Sequence, residues 1–380
     1  RFEFHEVIDD EGKFVGFDVV IGNPPYVRVD DIDETQKIFF KQNFNVAVGK
    51  YDLYYLFYQK SISLLNEGGC FGFINPNRFA STESGMELRS LITNTFREII
   101  INSVSKMNVF ESAKTYPAII LMYNKNHKFK KLLITETKIQ DKIDDCNYSL
   151  VFSKEKLEKL PLLILPLNSR KEIIEIFFKS IQSCEKLSKY LSIQEGLRIP
   201  EKYELETGDY HIVKQYQFTK YSQIKRGSFI NKLNLGKIIN EKSSRFINSQ
   251  KEKLIIAEDG LEINCTYDSS KSICQGGVYF CTSLTDSIDI KVLLALLNSK
   301  MINVLYENLF SGMHMGGGYL RYRSTFLYEL PIPFVSEHHQ KIIIQKVDSI
   351  LDLRKNNSDT NSLEAEIDKL VYQLYGLTEE

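Results

Sequence analysis

The sequence contains no Cys-x-x-Cys pair. Its six cysteines, Cys70, Cys146, Cys184, Cys265, Cys274 and Cys281, are scattered. The usual zinc-ligand spacings are therefore absent, and a disulfide framework is out of place in a chain of 380 residues. The expectation is free thiols in a reducing cytoplasm and no metal. No apolar run approaches the roughly 18 residues of a membrane span, so no membrane partner is expected. The opening stretch "RFEFHEVIDDEGKF" is polar and acidic, unlike a signal peptide. There is no internal repeat and no low-complexity linker. A net charge of −1 singles out no class of partner.

The composition is that of an ordinary globular protein, 43% hydrophobic and 26% charged, with length for two or three domains. The charge is unevenly spread. Between His211 and Ile256 stand Lys214, Lys220, Lys225, Arg226, Lys232, Lys237, Lys242, Arg245, Lys251 and Lys253, opposed only by Glu241 and Glu252. Tyr216, Phe218, Tyr221, Phe229 and Phe246 are interleaved with them. A solvated face is the common explanation of such a run. Basic residues mixed with aromatics also suit a nucleic-acid surface.

The first third alternates strand and helix signals. Phe17–Gly22, Cys70–Ile74, Ile99–Val104 and Ala118–Tyr123 read as strands, and Lys50–Asn66 and Glu83–Thr95 as helices. That alternation predicts a mostly parallel sheet covered on both faces, with ligands at the carboxyl ends of its strands. The pattern dissolves around Lys125–Lys159. Helices are then expected over Ser169–Leu191, Asp289–Phe310, Glu337–Leu353 and Leu363–Tyr375, with short strands such as "KLIIA" and "GGVYFC" in between.

The chemistry concentrates in "FDVVIGNPPYVRVD". Two consecutive prolines cannot continue a ladder or a helix, so Asn23-Pro24-Pro25-Tyr26 forms a rigid loop at a strand tip. The Asn23 side chain and the Pro24 backbone each offer a carbonyl acceptor beside the Tyr26 ring. Two convergent acceptors beside an aromatic face suit a planar base with an exocyclic amine. The amine would be held by both carbonyls, and Tyr26 would stack on the ring. A base inside a duplex must be flipped out to reach such a loop.

These residues resemble the catalytic loop of S-adenosylmethionine-dependent, adenine-specific DNA methyltransferases. "GKYDLYYLFYQKSISLLNEGGCFGFINPNRF", with Asp52, is similar to the helix and strand that follow this loop in the family. "VFESAKTYPAIILMY" resembles the later motif whose aromatic residue, here Phe110, packs on the other side of the flipped base. "SKYLSIQEGLRIP" and "GGGYLRYRSTFLYELPIP" resemble a TaqI-like C-terminal specificity domain, and "EIDKLVYQLYGLTEE" the tail of combined restriction-modification enzymes.

The resemblance implies a partial doubly wound, Rossmann-like α/β sheet over residues 1–165. An α+β target-recognition domain would follow over 166–335, and a helical segment over 336–380. It implies double-stranded DNA as partner. The cations expected to meet it are Lys214, Lys220, Lys225, Arg226, Lys232, Lys237, Arg245, Arg321 and Arg323. Arg78 and Lys114 are further candidates for phosphate, although exposed charges usually do nothing specific, and His314 reads as structural or as a DNA contact.

The family's glycine-rich turn and acidic ribose partner are expected before the Asn-Pro-Pro-Tyr loop, where only 22 residues stand. "FSGMHMGGGYLRY" follows a helix and reads as a turn, not as a cofactor loop. The expectation is a C-terminal half whose cofactor lobe, in cis or in trans, lies elsewhere and binds S-adenosylmethionine. The first strand would then present a bare edge. The alternatives are an inactive DNA specificity module, or an amino-methyltransferase of RNA or protein glutamine. Cytosine also carries an exocyclic amine, and adenine is preferred on the resemblance alone.

Overall fold

A computed structural model describes residues 7–104, 116–136, 149–310 and 318–377. Two compact units divide the chain between Lys171 and Glu172, with Asn308 returning to the first.

The first unit is built on one six-stranded sheet. Its strands are β1 (Phe17–Gly22), β2 (Leu65–Pro76), β3 (Phe96–Ser103), β4 (Pro117–Lys125), β5 (Lys131–Glu136) and β6 (Ser149–Phe152). Their order is β1-β2-β4-β3-β5-β6. β1 with β2 and β3 with β5 pair parallel, and the other neighbours pair antiparallel. So β1, β2, β3 and β5 run one way, and β4 and β6 the other.

The sheet is more mixed than the strand–helix alternation predicts. That alternation stops after β3, and β4 inserts antiparallel between β2 and β3 with Ala118, Ile120 and Met122 fully buried. β5 and β6 fall in the stretch where the sequence pattern dissolves. They are recruited by pairing to β3 and to each other, a tertiary effect that local preference does not register.

Helices α1 (Glu34–Asn43), α2 (Tyr54–Leu64) and α3 (Met86–Thr95) fill the connections. In α2 the residues Tyr54, Tyr58 and Ile62 stand four apart on one buried face. The Tyr58 ring meets Phe71 and Phe73 of β2 at centroid distances of 4.9 and 5.2 Å. Gly68 lies within β2 at φ +78°, a conformation glycine adopts without steric cost. β1 is a sheet edge, and Val19 and Ile21 on it are 60% and 82% exposed.

In the second unit, an antiparallel sheet orders Cys265–Asp268, Lys253–Ala257, Val278–Ser283 and Leu191–Glu195. A three-stranded sheet carries Phe229–Ile230, Tyr210–Val213 and Ile273–Cys274.

Two helix expectations are corrected here. Only Lys171–Ser180 of Ser169–Leu191 is helical. Beyond it, Cys184–Lys186 pairs with Pro331–Pro333, and Leu191–Glu195 with Val278–Ser283, so strand partners override the helical spacing. The expected helix over Asp289–Phe310 is two helices, Ile290–Asn298 and Lys300–Leu309. The break is at Ser299, which is extended (ψ 151°) and whose hydroxyl accepts from the Ile302 N–H at 3.3 Å, capping the second helix. The last two helices form at Glu337–Lys355 and Asn361–Leu374, tied by Arg354 to Glu364 at 2.8 Å.

The five described cysteines are free. No described helix is long and apolar enough to cross a membrane. The described residues contain no cluster of side chains fit to hold a metal.

Candidate active site

The loop Asn23–Tyr26 leaves β1 at its carboxyl end and has no regular structure. It is clamped just beyond. The Leu53 N–H donates to the Val27 carbonyl at 2.7 Å, and the Val29 N–H to the Tyr51 carbonyl at 3.1 Å. The chain entering α2 thus fixes the far end of the loop. Asn23 is exposed, Pro24 buried and Tyr26 half-buried. The Tyr26 hydroxyl donates to Asn23 Oδ1 at 2.6 Å and lies 3.1 Å from the Ile74 carbonyl. Burial pushes the Tyr26 phenol above its ordinary value, so it remains a donor at neutral pH.

The neighbouring strand ends in the same chemistry. β2 closes on Asn75-Pro76, followed by Asn77 and Arg78. The Tyr58 hydroxyl donates to Asn75 Oδ1 at 2.6 Å, and the Tyr54 hydroxyl to the Pro76 carbonyl at 3.1 Å. Behind them Arg89 is fully buried. It donates to the carbonyls of Phe79, Thr82 and Leu162 at 2.5, 2.8 and 2.9 Å. Burial lowers its guanidinium to about 10, which leaves it charged at neutral pH. Gly85 permits this packing, since a Cβ there would stand 2.2 Å from the Phe79 carbonyl oxygen. Three phenols and one arginine therefore hold the tip of β2 beside the loop.

Between the two tips lies a cavity of about 150 Å³. Tyr26, Tyr54 and Tyr116 give it aromatic walls, and Pro76, Asn77, Asp52, Arg28 and Arg78 complete it. A void of that size is on the order of those that admit a benzene ring. Asp52 is only 7% exposed. Burial raises its carboxyl above the usual range, against the pull of Arg78, 3.8 Å away, and of Arg28.

The structure brings Tyr26, Asp52 and Arg78 of the sequence reading to this cavity. Phe110, Lys114 and His314 lie outside the described residues, as do residues 311–317 of the glycine cluster. Tyr54, Asn77 and Tyr116 were not anticipated. A signal for this strand tip existed, because "INPNRF" repeats an Asn-Pro, here Asn75-Pro76, after an apolar run.

The candidate DNA-contacting cations all belong to the second unit, and many have protein partners. Lys214 meets Glu204 at 2.6 Å, Lys220 meets Glu262 and Glu364, and Lys232 meets Glu241. Arg321 pairs with Asp259 at 3.1 Å, and Arg323 reaches Glu258 at 4.0 Å. Arg245 donates to the carbonyls of Glu195 and Gly196. Lys237 lies over the Tyr203 ring, and Arg226 over that of Phe229. Lys225 is exposed, and no ion pair to it is found among the described residues.

Residues 1–110 match the family described as Eco57I restriction-modification methylase, and residues 201–332 the TaqI-like C-terminal specificity domain. The type II methyltransferase M.BstVI of Geobacillus stearothermophilus is 35% identical over 120 residues, 31% of this chain and 21% of that protein. The type II restriction enzyme and methyltransferase RM.Eco57I of Escherichia coli is 30% identical over 134 residues, 32% of this chain and 13% of its own. Among solved structures, the type IIL restriction-modification enzyme MmeI in complex with DNA superposes with a TM-score of 0.55 at 15% identity. That match covers 95% of this chain and 55% of MmeI. The shared fold extends over both units, and the chain spans only a minor part of the two curated relatives.

Proposed function

We propose that this chain, which joins a segment of a restriction-modification methylase to a TaqI-like C-terminal specificity domain, serves site-specific methylation of DNA at the N6 amine of adenine. The observation that carries the reading is the Asn23-Pro24-Pro25-Tyr26 loop at the tip of β1, whose Tyr26 lines an aromatic-walled cavity and bonds Asn23 Oδ1. The target adenine swings out of the duplex into that cavity. One lone pair of Asn23 Oδ1 takes the Tyr26 hydroxyl, and the other remains for one amine hydrogen. The Pro24 carbonyl takes the second. Holding both hydrogens withdraws the amine from conjugation with the ring and aims its lone pair outward, a preorganised electrostatic effect. Stacking on Tyr26 holds the base while the duplex stays open.

S-adenosylmethionine, when bound, supplies an electrophilic methyl group. The described residues do not form its cradle: no glycine-rich turn joins a described strand to a helix, and the β1 edge is bare with Val19 and Ile21 exposed. A cofactor lobe packing against β1, in cis or in trans, is therefore part of the proposal. The second unit reads the site on DNA.

The test is chemical. The full-length protein is incubated with S-adenosylmethionine and genomic DNA lacking methylation, and the DNA is digested to nucleosides. N6-methyldeoxyadenosine is the expected product. N4-methyldeoxycytidine would overturn the choice of base, and unmodified DNA the activity.

A further inference from the structure

We infer that the Tyr26 hydroxyl is a positioning group for Asn23, distinct from any stacking by its ring. The inference rests on the amine-methylation reading above. A carboxamide has two ends of nearly equal shape, an acceptor oxygen and a donor nitrogen. Turned one way, Asn23 accepts from an incoming amine. Turned the other way, it sets N–H groups against N–H groups and repels it. Asn23 is exposed, so packing does not decide between the two.

Its hydrogen-bond partner does. The Tyr26 hydroxyl stands 2.6 Å from Asn23 Oδ1 and 3.1 Å from the Ile74 carbonyl. A separation of 2.6 Å suits O–H···O and is short for N–H···O, so the oxygen end faces the phenol. The hydroxyl has one proton and gives it mainly to Asn23. Were it given to Ile74 instead, the phenol oxygen would accept from the amide nitrogen, and Asn23 would be turned over. The phenol is itself fixed, because the chain after it is clamped at Val27 and Val29. Asn23 thus meets the base already oriented, and the ordering cost is not levied when DNA binds.

Tyr26→Phe keeps the ring and deletes the hydroxyl, whereas Tyr26→Ala removes both. The experiment uses full-length enzyme, a duplex carrying its methylation site, and 2-aminopurine at the target for the flipping signal. Single-turnover transfer of labelled methyl is measured alongside DNA affinity. For Tyr26→Phe, transfer should slow about tenfold, the equivalent of one hydrogen bond, with DNA affinity and the flipping signal unchanged and the melting temperature lowered by no more than about 4 °C. Tyr26→Ala should lose the flipping signal as well. Wild-type transfer by Tyr26→Phe overturns the positioning role alone. Wild-type transfer by Asn23→Ala overturns it together with the reaction centre on which it rests.

Discussion

A carboxylate that is 7% exposed, with arginines on two sides, has to be read by sign. Burial raises the Asp52 carboxyl more than Arg78 and Arg28 lower it. Its charged form is therefore disfavoured in the folded state relative to the unfolded chain. The cost is present at neutral pH and is relieved as pH falls through the raised value. Asp52→Asn should accordingly melt no lower than wild type at pH 7 and lose that parity near pH 4. Thermal melts across that range check it, and a marked destabilisation at pH 7 would assign Asp52 a net stabilising pair instead. At this scale Asn23 to Tyr26 were legible because two prolines after an apolar run leave few structures open. Asn77 and Tyr116 were less so, since the β2 tip and the start of β4 meet only through sheet pairing, with the Asn77 N–H donating to the Tyr116 carbonyl at 2.8 Å.

Among the elements, the strand Lys253–Ala257 is buried at every position, including Lys253. Lys253 Nζ lies 2.9 Å from Asp268 and donates to the Ser270 carbonyl at 2.7 Å. Burial opposes the Asp268 charge, but Lys253 and the groups of Ser270 and Ser272 outweigh it and hold the carboxyl below its ordinary value. Its contribution is present above the unfolded-state value near 4 and is lost as pH falls through the folded one. Lys253→Met leaves that carboxylate unpaired, at a cost of about 3–5 kcal/mol in urea unfolding. A cost below about 1 kcal/mol would mean that water or another cation takes over. In the sequence Lys253 stands within a basic run, and only pairing on both sides makes its strand central. The helix over Ser169–Leu191 was misread for a related reason, because Cys184–Lys186 and Leu191–Glu195 take their form from partners far along the chain. The same scale separates cations already paired from Lys225 and Arg226, which carry no carboxylate partner among the described residues. Replacing both by Ala should flatten the salt dependence of DNA binding by up to about two units. An unchanged slope would place that segment away from phosphate.

In the molecule as a whole, one unit carries the loop proposed to hold a base and the other resembles a specificity domain. The exposed apolar edge of β1 is what a docked lobe would cover, because bare edges invite uncontrolled pairing. The succession of a methylase segment and a TaqI-like specificity domain was legible from the order of motifs. The mixed sheet direction was not, because β4 arrives without the strand–helix alternation that announces a parallel strand. The claim that binds these scales is that the tip of β1 is the reaction centre. The most direct measurement is single-turnover methyl transfer by full-length enzyme with Asn23→Ala, alongside its DNA affinity. Loss of one preorganised acceptor should slow transfer by a factor of about a hundred to a thousand while DNA affinity is retained. Transfer by Asn23→Ala at the wild-type rate would contradict the account.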